Sequence, residues 1–244
     1  MRDAPQIRPI RPSRPGGAIP AQIALTAAGG ALLIAASGVM LAGNQAGVMA
    51  GIAAYLLVCG AVAALMGRSY PHHRIGGCNA VTLLRAALTC ALLGPLVAGQ
   101  AAGWAVAGVA GTALVLDGVD GHLARKSGLV SRFGARFDME VDAALALVLS
   151  LHVIAGTVVG PEILVLGLAR YGFVLAGTVL PWMRADLPDR RWRKVICVIQ
   201  IAALILLQLP VLTPDQAIWL ARIAALLVIA SFATDIRWLW MRRP

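Results

Sequence analysis

Charge is scarce in this chain of 244 residues: 13% of them are charged and only 11 are acidic, against about 25% charged in an ordinary soluble domain. With 59% hydrophobic residues, water would leave more apolar surface exposed than a single core can hide. An ordinary soluble enzyme is excluded, whereas a bilayer accepts such surface as it stands. Cysteine is equally sparse. Cys59, Cys78, Cys90 and Cys197 lie in or beside apolar segments without C-x-x-C spacing, which rules out a disulfide framework or zinc site and leaves small buried hydrophobes. Histidine offers no alternative, because His72, His73 and His152 have no metal-ligand partner at useful spacing.

What is abundant is apolar sequence in long runs. Eight stretches stand out, at about 18 to 42, 46 to 67, 79 to 98, 102 to 123, 137 to 158, 162 to 182, 195 to 212 and 216 to 240. Each is near the roughly 20 residues that cross a hydrocarbon core as a helix. The first is longer than the roughly 7 to 15 apolar residues of a signal peptide and reads as a retained span.

The 21 basic residues orient these spans. Arg2, Arg8, Arg11 and Arg14 precede the first; Arg68 and Arg74 lie between the second and third. Arg125, Lys126, Arg132 and Arg136 lie between the fourth and fifth, and Arg184, Arg190, Arg191, Arg193 and Lys194 between the sixth and seventh. Arg237, Arg242 and Arg243 close the chain. The intervening connections hold no Lys or Arg. This alternation predicts a multi-pass protein of the cell (inner) membrane with both termini cytoplasmic. Residues 1–17 read as a disordered basic tail near anionic lipid, and no nucleic-acid partner is expected.

Three arginines fall inside spans. Arg85 is within two turns of the start of the third span and is expected to reach the interface. Arg170 suits either a polar pocket or an ion pair, and Arg222 suits pairing with Glu162 or snorkelling. Small residues at four-residue spacing, Gly47 with Gly51 and Gly103 with Ala107 and Gly111, permit close helix contact. Tryptophans near span ends fit an aromatic belt.

The acids are the most informative group. Asp117, Asp120, Asp138 and Asp142 gather where the fourth span leaves the membrane and the fifth re-enters it. On helices, spacings of three and four put each pair on one face. With the fourth and fifth spans as antiparallel neighbours, all four carboxylates can converge at the cytoplasmic rim. So many carboxylates repel one another, so a cation or protons must accompany them. Oxygen-only donors favour a hard ion, Mg²⁺ or Mn²⁺ in its place. Gly121 and Ala124 leave a groove beside them, and Arg125 supplies a cation suited to phosphate.

The stretch Asp117–Asp142 resembles the signature of the CDP-alcohol phosphotransferase family, D-x2-D-G-x2-A-R-x8-G-x3-D-x3-D, at every defined position: Asp117, Asp120, Gly121, Ala124, Arg125, Gly134, Asp138 and Asp142. Asn79, Thr82 and Arg85 resemble the N-x-x-T-x-x-R run that opens its first core helix. The resemblance implies an all-α polytopic fold, with a six-helix catalytic core at 71–244 and two additional transmembrane helices at 18–70. It implies transfer of a phosphatidyl group from a CDP-alcohol such as CDP-diacylglycerol to an acceptor hydroxyl, releasing CMP, in phospholipid biosynthesis, and a homodimer. Asp117, Asp120, Asp138 and Asp142 look like metal ligands, and Asp142 also like the general base. Asn79, Thr82, Gly121, Ala124, Arg125, Ser131 and Gly134 look like the CDP site.

Glycerol 3-phosphate or another polyol (phosphate) is the expected class of acceptor, its phosphate held by Arg170, Arg184, Arg193 and Lys194. The sequence departs here from the glycerophosphate branch, reading Asp138-Met139-Glu140-Val141-Asp142-Ala143 in place of D-P-x-x-D-K. The competing reading is a secondary transporter or cation channel. It would require midplane carboxylates, interrupted helices and a repeat between halves, and the sequence shows none of these.

Overall fold

Helices occupy all eight stretches that the hydropathy marks. The computed structural model describes residues 18–41, 44–72, 74–100, 103–127, 131–185, 187–188 and 190–243, with side chains described at all of these except 18, 19, 39, 40, 69, 120–127 and 191. The basic tail predicted at 1–17 lies outside the described residues. In chain order the helices are α1 (Ala18–Met40), α2 (Gln45–Ser69), α3 (Gly76–Ala91), α4 (Leu93–Val97), α5 (Trp104–Ser127), α6 (Arg132–Gly156), α7 (Leu164–Val179), α8 (Arg191–Leu206) and α9 (Pro214–Trp240). No strand occurs among the described residues.

Among the described residues, six spans are long and apolar enough to cross a membrane by themselves: Pro20–Gly38, Gln45–Arg68, Gly76–Val97, Arg132–Gly156, Pro161–Val179 and Pro214–Trp240. The other two are shorter. The apolar part of α5 is Trp104–Val119, and α8 has 16 residues and starts on basic ones. The protein is an all-α polytopic membrane protein. Its outer surface carries Leu25, Leu57, Leu175 and Leu226 exposed, as a lipid-facing surface requires.

Local chemistry sets the helix ends. Asn44 caps α2 by accepting from the Gly47 N–H at 2.8 Å, and Ser131 caps α6 by accepting from the Gly134 N–H at 3.0 Å. Thr213 and Gln216 form a capping box at the start of α9. The third span breaks at Leu92 because Pro95 has no N–H to continue the ladder. His152, fully buried on α6, donates from Nε2 to the Leu92 carbonyl at 2.8 Å and satisfies the break.

Helix α3 is the axis of the bundle. It packs against α1, α2, α5 and α6, while α7, α8 and α9 complete the far side of α6. On the near side α2 lies against α3 and α4 at backbone distance: a Cβ on Gly47 would come 2.8 Å from the Gly94 Cα, and one on Gly51 2.7 Å from the Cys90 carbonyl. The Gly47 and Gly51 pair is therefore used as its spacing predicts. Gly103 and Gly111 face open space instead, and of that second small-residue run only Ala107 is buried.

One expectation changes. Packing between α5 and α6 is slight among the described residues, whereas α3 packs extensively on α5 and also on α6. Among the described residues the two acid-bearing helices are joined mainly across α3.

Candidate active site

At the end of the bundle where α3 begins, α5 ends and α6 begins, three carboxylates converge. Oxygens of Asp117 on α5 and of Asp138 and Asp142 on α6 all lie within 4.8 Å of one another. Asp138 and Asp142 are one helical turn apart and share a face, as their spacing predicts. Asp120 is on α5 one turn beyond Asp117, but its side chain lies outside the described residues, as do those of Ala124 and Arg125 and the surroundings of Gly121.

Between the carboxylates stands Arg85. Its guanidinium is 2.9 Å through Nη1 from Asp117 Oδ1, donates from Nη1 to Asp138 Oδ1, and donates from Nη2 to Asp142 Oδ1. The residue is 0% exposed. It does not reach the interface, because a buried guanidinium needs counter-charges and three lie within reach. The apolar span displayed the signal, since an arginine there demands a partner; what the sequence leaves open is which helix lies opposite.

Water access grades the carboxylates. The Asp142 side chain is 16% exposed, against 29% for Asp117 and 36% for Asp138. Cys197 on α8 adds a contact not foreseen from its apolar setting, its thiol donating to Asp142 Oδ2 at 3.7 Å. Three carboxylates against one guanidinium leave two negative charges in a cluster whose donors are all hard oxygens. That set fits a divalent cation such as Mg²⁺.

Asn79 lies on the same helix as Arg85 and is buried. Its Nδ2 donates to the Ile75 carbonyl at 2.7 Å and to the Tyr70 hydroxyl at 3.0 Å. Tyr70 donates in turn to the Ile75 carbonyl at 3.1 Å. Burial pushes the Tyr70 hydroxyl above the ordinary tyrosine range, so it keeps the proton it donates. Asn79 Oδ1 is thereby aimed at the start of α6, where a Cβ on Gly134 would come 3.0 Å from it and 3.2 Å from Ser131 Oγ. Asn79, Ser131 and Gly134 are thus brought together beside the carboxylates. Thr82 is buried and donates to the Cys78 carbonyl at 3.0 Å.

Of the four basic residues predicted to hold an acceptor, the three arginines have separate partners. Arg170 pairs with Glu140 at 2.5 Å. Arg184 donates to the Gly177 carbonyl at 2.6 Å and the Thr178 carbonyl at 2.9 Å, closing the end of α7. Arg193 donates to the Pro188 carbonyl and lies 3.5 Å from Asp235, and Lys194 is exposed on α8. Arg222, the remaining span arginine, lies over the Trp219 ring at 6.0 Å, with no ion pair to Glu162.

The comparison with protein families adds the deciding observation: the model for CDP-alcohol phosphatidyltransferase matches residues 77–236. The chain belongs to the CDP-alcohol phosphatidyltransferase family. Membership makes it a transferase of substituted phosphate groups, in a family known to use a divalent metal. The match runs from the start of α3 almost to the end of α9 and leaves α1 and α2 outside. No curated protein and no solved structure matches the chain.

Proposed function

We propose that this phosphatidyltransferase moves the phosphatidyl group of CDP-diacylglycerol to the hydroxyl of a polyol or polyol phosphate and releases CMP, at the cytoplasmic face of the inner membrane. The observation that carries the reading is the convergence of Asp117, Asp138 and Asp142, with Arg85 between them, inside a family-matched core.

Asp117, Asp120, Asp138 and Asp142 would hold Mg²⁺ or Mn²⁺, which would supply Lewis-acid polarisation of the donor diphosphate and charge stabilisation for the leaving CMP. Asp142, the least hydrated of the three described carboxylates, accepts the proton of the acceptor hydroxyl. The new O–P bond forms as the P–O bond to CMP breaks, and the bonding electrons leave on the CMP oxygen. No Ser or Cys nucleophile is needed, because displacement at phosphorus requires positioning and charge neutralisation. The Cys197 thiol orients Asp142 without entering the reaction. Asn79, Ser131, Gly134, Thr82, Gly121, Ala124 and Arg125 make the CDP site. For the acceptor, Arg193 and Lys194 are best placed: they lie about one turn before Cys197 on α8, whose thiol touches Asp142, whereas Arg170 and its partner Glu140 stand on the other side of α6.

Orientation rests on the basic residues. Arg68 ends α2, Arg132 begins α6, and Arg237 is in the last turn of α9, ends that eight alternating spans bring to the carboxylate side. Residues 71–244 form the catalytic core, residues 18–70 are an addition to it, and two chains pair as a homodimer. A transporter reading gains nothing from the interrupted third span. The break at Leu92 lies about two turns beyond Arg85 and further still from Asn79, and Pro95 accounts for it.

The test is direct. Purified protein in detergent should release CMP from CDP-diacylglycerol only with a divalent cation and an acceptor. Lipid mass spectrometry of cells with and without the gene would name the headgroup. If no lipid changes and no polyol or polyol phosphate elicits CMP, the reading fails.

A further inference from the structure

The face of α6 turned away from Asp138 and Asp142 borders a cavity of about 680 Å³. Phe133, Phe137, Glu140 and Ala144 follow one another at helical spacing along it, and Val58 and Leu65 of α2 form the facing wall. Most of this lining is apolar, with Arg132 and Arg136 at the end nearest the start of α6. Both arginines are exposed, and neither belongs to an ion pair among the described residues. The wall from α2 is outside the family match, so the groove is built partly by the added helices.

We propose that this groove holds one anionic diacyl phospholipid, with an acyl chain between α2 and α6 and its phosphate on Arg132 and Arg136. Three features select that occupant. From Arg132 to Ala144 is about 18 Å of helix, close to one leaflet of a hydrocarbon core roughly 30 Å thick. The cations stand only at the membrane-surface end, where a headgroup phosphate sits, and the start of α6 adds its own positive end. A second copy seated there by two-fold symmetry would bring the same arginines to the same mouth. The lipid is separate from the donor, since the carboxylates occupy the other face of α6. Its role is to fasten α2 to the catalytic core.

Native mass spectrometry of the detergent-purified protein tests this, with phosphatidylglycerol and phosphatidylcholine of identical chains as probes. Two arginines at about fivefold each predict phosphatidylglycerol bound about thirtyfold tighter. The preference should vanish in R132Q/R136Q, whose exposed positions leave the fold intact. Ala144→Trp, or Ala61→Trp from the α2 side should the first not fold, should displace both lipids. Equal binding of the two lipids, or a preference that survives in R132Q/R136Q, overturns the proposal. So does efficient disulfide cross-linking of Leu65→Cys chains in native membranes, which would put a second copy over the groove. None of these readouts depends on CMP release, so the site stands or falls apart from the reaction.

Discussion

Arg85 Nη1 lies 2.9 Å from Asp117 Oδ1, a contact that ties α3 to α5 while the same guanidinium ties α3 to Asp138 and Asp142 of α6. The carboxylates are thus gathered by a protein cation even before any metal is considered. Removing one partner of a fully buried ion pair costs about 3–5 kcal/mol; the water still reaching Asp117 and Asp138 brings the expected loss for Arg85→Gln nearer to about 2 kcal/mol. The variant should therefore melt lower than wild type in a chelator, and added Mg²⁺ should raise its melting temperature more than that of wild type. Equal Mg²⁺ shifts in the two proteins would show that Arg85 and the cation do not share these carboxylates.

Asp142 serves two roles in the proposed mechanism, and they separate experimentally. Asp142→Asn keeps the size and one oxygen but cannot take a proton. CMP release should fall by at least about 100-fold, the lower range for loss of a general base. Asp117 and Asp138 remain, so Mg²⁺ should still raise the melting temperature. Wild-type turnover in this variant would remove Asp142 from the proton transfer.

The Gly47 contact gives a structural prediction with an internal control. A Cβ there meets backbone of Gly94, which has no side chain to move aside. Gly47→Ala should destabilise by about 1–3 kcal/mol as an overpacked contact. Gly111→Ala on α5, where nothing lies within 4 Å, should stabilise by about 0.5–1 kcal/mol through helix propensity. Thermal melts of the two variants in the same detergent compare them directly.

These contacts also mark how far the sequence can be read. Hydropathy places all eight helical stretches, with ends off by at most about six residues, and the aspartate spacing places three of the four carboxylates in one cluster; the fourth, Asp120, has its side chain outside the described residues. Both signals are local, since each depends on periodicity within one or two helices. The packing of α3 on both α5 and α6 is a relation among three helices, and no periodicity encodes it. Arg85 is misplaced by sequence reasoning for that reason: its partners are more than thirty residues away along the chain. Arg184 is likewise legible only as a positive charge, because its carbonyl acceptors appear once the end of α7 is set.

Gly134 offers the sharpest separation of function from stability. In Gly134→Ala the methyl would stand 3.0 Å from Asn79 Oδ1 and 3.2 Å from Ser131 Oγ, tight enough that one of them must shift. Ser131 is fixed by its bond to the Gly134 N–H, and Asn79 by Tyr70 and Ile75. The resulting strain, about 1 kcal/mol at the low end for an overpacked site, is offset by the roughly 1 kcal/mol that alanine gains over glycine within a helix. The melting temperature should then barely move. If Asn79 and Ser131 contribute to the CDP site, their displacement should still weaken donor binding. The KM for CDP-diacylglycerol should rise about tenfold, which corresponds to about 1.4 kcal/mol of lost binding, while kcat changes less. An unchanged KM alongside an unchanged melting temperature would take Asn79 and Ser131 out of the donor site.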